Sequence, residues 1–115
     1  DNKGTHEESI LSKEDHLKTY DDWKKIADYR TEEFYTCHKQ FIDEDKWMQA
    51  VDICGAEHRN NYVLFRDGID ERSNLNYEDR QSLLKYWDEQ FDITIKKIRK
   101  LIDENEMKKR PNRVD

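Results

Sequence analysis

Two cysteines and four histidines are the residues whose chemistry is sharpest in this chain. Cys54 and His58 stand four apart, which on a helix places both on one face, a spacing that can supply two ligands to a metal. A zinc site needs three or four ligands, and His6, His16 and His38 are scattered, leaving no second pair once the cysteines join each other. His58 therefore reads as a histidine at the edge of a core stripe, and no metal is expected. Carboxylate pairs recur at Asp21-Asp22, Glu32-Glu33 and Asp43-Glu44-Asp45. Hydrolysis by paired carboxylates needs two of them across a cleft, one kept protonated by an apolar wall. In a chain that is 42% charged such pairs arise by chance and read as solvated helix faces. No Gly-rich phosphate loop or Gly-x-Ser-x-Gly elbow occurs, and Ser9, Ser12, Ser73 and Ser82 have no catalytic neighbourhood. Arg66-Asp67-Gly68 reads as a helix-to-loop exit. The expectation is a protein without catalysis and without a cofactor.

The elements that must carry these residues follow from composition and spacing. The 115 residues suit one domain, 1–115, and charges recur too often for a membrane span. Three glycines and one proline are too few for the turns of an all-β fold. Hydrophobic residues make up only 34%, but three Trp, six Tyr and four Phe are large enough to build a thin core. Residues 1–11 read as a loose arm and 111–115 as a loose tail. Ser12 with Asp15 resembles a capping box opening a short helix over 13–18. Thr19 with Asp22 offers another, ahead of a helix from Tyr20 to Phe41 with a stripe of Trp23, Ile26, Ala27, Arg30, Phe34, Cys37 and Phe41. Asp43 reads as the N-cap of a second helix over 44–66, striped by Trp47, Ala50, Val51, Cys54, His58, Tyr62 and Phe65. Gly55 inside it is expected to let a neighbouring helix approach. Asp67 to Asn76 reads as a loop. Asn76, with Asp79 three on, caps the longest helix, 77–108, striped by Leu83, Leu84, Trp87, Phe91, Ile95, Ile98, Leu101 and Ile102. The fold class is all-α: a small antiparallel bundle of three long helices plus a short N-terminal one.

Cys37 and Cys54 lie at similar distances either side of the 42–44 turn, so in a helical hairpin they stand near one level. Helices packed about 8–10 Å apart bring such Cα atoms within disulfide reach. The alternative is two unpaired core cysteines. The chain begins at Asp1, as a mature secreted or trimmed chain would, and an even cysteine count in a small domain favours an oxidising, extracellular setting.

Charge is unevenly distributed. Residues 96–113 hold eight bases and three acids, +5 in a chain of net −6. Cations near a helix C-terminus suit the macrodipole, and they also suit docking, because complementary charge orients encounter. Nucleic acid and membrane are poor partners for a net-negative chain without a recognised binding motif. The candidate contacts are Arg66, Asp67 and Arg72 around the loop, with Lys96, Lys97, Arg99, Lys100, Lys108, Lys109 and Arg110 on the positive segment. Tyr29, Tyr35, Tyr77 and Tyr86 fall off the stripes and are expected to include partner contacts.

The segments DDWKKIADYRTEEFYTCHKQF, WMQAVDICGAEHRNNYVLFRDG and LLKYWDEQFDITIKKIRKLI resemble a family of anopheline mosquito salivary proteins that includes anophensin and albicin. The likeness runs from about Lys13 to Lys109 and lies in overall pattern and aromatic-rich segments. It implies an all-helical, non-enzymatic protein secreted in saliva during blood feeding; a monomer is expected. It further implies a host plasma complex as partner: the alternative-pathway convertase of complement or, in the anophensin-like case, the contact (kallikrein–kinin) system.

Overall fold

Thr19 opens the first long helix with a reciprocal cap. Its Oγ1 accepts from Asp22 N at 3.1 Å, and Asp22 Oδ2 accepts from Thr19 N at 3.0 Å. In the computed structural model, which describes residues 9–109, this helix, α1, runs Tyr20–Asp43; α2 runs Trp47–Asp67 and α3 Tyr77–Lys108. Consecutive helices run antiparallel, and no strand occurs among the described residues. Asn76 Oδ1 accepts from Asp79 N at 2.8 Å and starts α3 as its sequence predicts.

The turn between α1 and α2 lies later than expected. Asp43 is the last residue of α1 and caps nothing; Lys46 precedes α2 without a side-chain cap bond. The reason is a Schellman closure. Lys46 N donates to Phe41 O at 2.7 Å and Asp45 N to Ile42 O at 2.9 Å, with Asp45 in the left-handed region at φ 61°. Asp45 then serves as an anchor: its Oδ1 accepts from Lys109 Nζ at 2.7 Å and Asn105 Nδ2 at 3.4 Å, tying the end of α3 to this turn.

The expected loop after α2 is half helix. Gly68–Arg72 forms a π-helical turn, because Ile69 is fully buried and holds the backbone in the core. Gly68 is there for space. A Cβ on it would lie 2.7 Å from Trp23 Cη2 and 3.0 Å from Asp15 Oδ2. Gly55 has no such role, since its Cβ would meet only the flexible Arg59 Nη1 at 3.4 Å.

The N-terminal segment also differs from expectation. Ser12 caps no helix; its hydroxyl donates to Ser9 O at 3.3 Å, and a single 3-10 turn spans Asp15–Leu17. Residues 9–11 are no loose arm, because Ile10 is buried in the core with Leu11 packed beside it. Residues 1–8 and 110–115, including His6, Arg110 and the expected tail, lie outside the described residues.

The bundle measures 61 × 32 × 21 Å and holds two apolar clusters along its length. One gathers Ile10, Trp23, Ile26, Ala27, Phe65, Ile69, Leu83 and Trp87. The other gathers Phe34, Ile42, Ala50, Cys54 and Ile98. Large rings bridge α2 to α3, with Phe65 and Tyr62 at 4.6 and 5.6 Å from Trp87. The stripes were largely right, but Val51 faces solvent, and Thr31, His38, Ile42 and Thr94 are buried beside the predicted positions.

Candidate functional site

Cys37 and Cys54 form a disulfide between α1 and α2, with Cα atoms 6.0 Å apart. One turn further along α2, His58 is buried among aromatic rings. Its ring centroid lies 4.3 Å from Phe34, 4.9 Å from Trp87 and 5.3 Å from Phe91. His38, also buried, stands against the edge of Phe34, and its Nδ1–H donates to Phe34 O at 2.9 Å. Burial foremost, with His38 adding repulsion against the attraction of Glu33, pushes the His58 pKa down to about 4. Among the described residues no three His, Cys, Asp or Glu side chains converge as metal ligands would. The four-residue step from Cys54 to His58 serves the staple and the core.

The candidate contacts fall at one end of the rod and along the second half of α3. Arg66, Asp67 and Arg72 sit where α2 meets the π-helical turn, and they are mostly engaged internally. Arg66 pairs with Asp67 at 3.2 Å, and Arg72 Nε donates to Asp15 Oδ2 at 2.8 Å. Asp15 also receives Lys18 at 2.6 Å, while Lys18 Nζ lies 4.7 Å from the Trp23 ring centroid. Burial raises the Asp15 pKa, but hydrogen bonds from Lys18 and Arg72 outweigh it and leave the carboxyl below its ordinary value. This cluster clasps the N-terminal segment to the π-helical turn.

At the other end Lys109 is likewise a structural cation, held by Asp45 and, at 3.0 Å, by Glu106. Lys96, Lys97, Arg99 and Lys100 differ. They are exposed around α3 on either side of the buried Ile98, Lys96 and Lys100 facing away from it and Lys97 and Arg99 flanking it, and enter no ion pair or hydrogen bond among the described residues. Lys108 is exposed and unpaired in the same sense. A groove of about 490 Å³ between α1 and α3 begins at Lys97 and is walled by Asp28, Glu32, Tyr35, Gln90 and Ile93. The arrangement offers a stapled rod with one free cationic turn.

Of the off-stripe tyrosines, Tyr77 is 66% exposed, while Tyr86 is half-buried and donates to Asp28 Oδ1. His38 and Lys18 were missed as buried groups. The step of four from Phe34 to His38 was a usable signal; for Lys18, none existed in the local sequence.

The fold and site define a class: a disulfide-stapled three-helix bundle with an exposed cationic turn. Compared with family models, curated proteins and solved structures, the chain gave no significant match.

Proposed function

We propose that this chain is a non-catalytic inhibitor that acts outside the cell by docking on the alternative-pathway convertase of complement. It would block substrate access or hold the convertase in a nonproductive arrangement. Two lines support the reading: the resemblance of the aromatic-rich segments to the salivary family, and the unpaired cations on α3. The second carries most weight. Lys96, Lys97, Arg99 and Lys100 are carried on a helix seated in the core through Ile98, so docking orders only their side chains and not the backbone that bears them. Their charge stands out on a chain of net −6 and suits an acidic partner surface.

The test is alternative-pathway lysis of rabbit erythrocytes by human serum, with and without the purified protein. Inhibition at submicromolar concentration is expected, weakened at least tenfold by the triple reversal Lys96→Glu, Lys97→Glu and Lys100→Glu. Unchanged potency of that folded variant would exclude this helix face. Unchanged lysis alongside slowed contact activation would favour the kallikrein–kinin reading. Silence in both assays would leave a helical binding protein with a different extracellular partner.

A further inference from the structure

His58 occupies an unusual place. It lies at the junction of the two apolar clusters, touching Trp87 of one and Phe34 of the other, and it is only 5% exposed. A neutral imidazole carries one donor and one acceptor. Among the described residues neither Nδ1 nor Nε2 of His58 has a hydrogen-bond partner, and both atoms are buried. The ring is used as a flat apolar plate, nearly parallel to Phe91 at 15°.

Protonation changes the balance. The imidazolium has two N–H donors and a charge, all without an acceptor in this slot. The flanking ring faces attract a cation, but that gain is small beside the cost of keeping an unpaired charge from water. From α1, Glu33 attracts the proton and His38 opposes it, and Glu33 is itself engaged by Arg30 at 2.9 Å. From α3 the ring meets Trp87 and Phe91, neither of which carries a charge. Opening the slot is the cheaper response.

The disulfide decides how far it opens. Cys54 lies one turn before His58 and is covalently held to α1, whereas the rest of α2 is seated through Tyr62, Phe65 and the turn bearing Ile69. We infer that His58 is an acid-operated latch: protonation releases the 58–67 half of α2 and opens the cluster around Trp23, Phe65 and Trp87, while the Cys37–Cys54 bond keeps the other half seated. The sign follows from linkage. The closed form binds fewer protons at this site than the open chain between about pH 4 and the ordinary value of 6.5. Stability at this site is therefore full above 6.5 and falls as the medium acidifies.

The experiment compares urea unfolding of the disulfide-intact protein with that of His58→Phe, which keeps a ring in the slot and removes the titration. The wild-type unfolding constant is expected to rise by up to about tenfold per pH unit below 6.5, and the variant's should be nearly flat down to about pH 4.5. Amide exchange of the wild type at pH 5 should show lost protection over 58–67 with protection kept over 47–54. Equal pH dependence in both proteins would overturn the latch. So would a His58 ring resonance titrating near 6.5 in the native state, or protection lost evenly along α2. Should the variant not fold, the wild-type titration and exchange pattern decide the matter by themselves.

Discussion

Tyr86 donates its hydroxyl hydrogen to Asp28 Oδ1 at 2.5 Å and so pins the first third of α3 to α1 across 58 positions of sequence. Burial first, and then the bond to Asp28, pushes the Tyr86 pKa up to about 12. The protonated phenol is the form the fold prefers, so its contribution is complete below pH 10 and is lost as pH rises towards 12. Tyr86→Phe should cost about 1 kcal/mol at pH 7, measured by urea unfolding. It should also flatten the alkaline limb of the stability curve. An unchanged limb would remove Tyr86 as its source.

The two helical glycines should respond in opposite directions. At Gly68 a methyl group meets Trp23 at 2.7 Å, and the indole is wedged in the core, so Gly68→Ala should destabilise by about 1–3 kcal/mol. At Gly55 the nearest atom is the end of Arg59, and Gly55→Ala should stabilise by about 0.5–1 kcal/mol. Matched denaturant titrations at pH 7 compare the two, and a shift of the same sign in both would refute the assignment.

Replacing both cysteines by alanine releases a link between residues 17 apart. The expected loss is about 3 kcal/mol, arising chiefly from the greater freedom of the unfolded chain. Reducing the native protein should lower its midpoint by less than the double substitution, which also takes the Cys54 sulfur out of the core. A reductant that leaves the midpoint unmoved would contradict this.

Acid should act in two stages. Asp22 is raised by burial but held below its ordinary value by hydrogen bonds from Thr19 and Lys13, and Asp15 is lowered in the same sense by Lys18 and Arg72. For carboxyls with depressed pKa the contribution is present above about 3.8 and disappears as pH falls below it. Asp15→Asn should remove part of that lower stage and leave the stage between 6.5 and 4 untouched. A single merged transition, shifted as a whole by Asp15→Asn, would count against the separation.

What was legible in the sequence was local. Thr19 with Asp22, and Asn76 with Asp79, announce helix starts because both partners lie within one turn of chain. The ends of α3 and the pairing of Cys37 with Cys54 followed from periodicity and level. The features that escaped are settled by distant partners. Asp45 takes the left-handed position usually given to glycine, and its carboxylate is answered by Lys109, 64 residues later. Gly68 looked like a loop residue, and only the position of Trp23 shows what the missing side chain makes room for. The same holds for the candidate contacts: Arg72 and Lys109 looked free in sequence, yet Asp15 and Asp45 hold them, while Lys96 to Lys100 remain unclaimed.

The covalent bond joins α1 to α2 and leaves the 32 residues of α3 attached only by packing, hydrogen bonds and ion pairs. Topologically the molecule is a closed loop, residues 37–54, with an open arm on each side: residues 9–36 before it and residues 55–109 after it. Either arm can leave while the stapled hairpin keeps its two helices joined. The exposed cations Lys96, Lys97, Arg99 and Lys100 ride on the longer arm, so they are carried by a part of the molecule that no covalent cross-link retains.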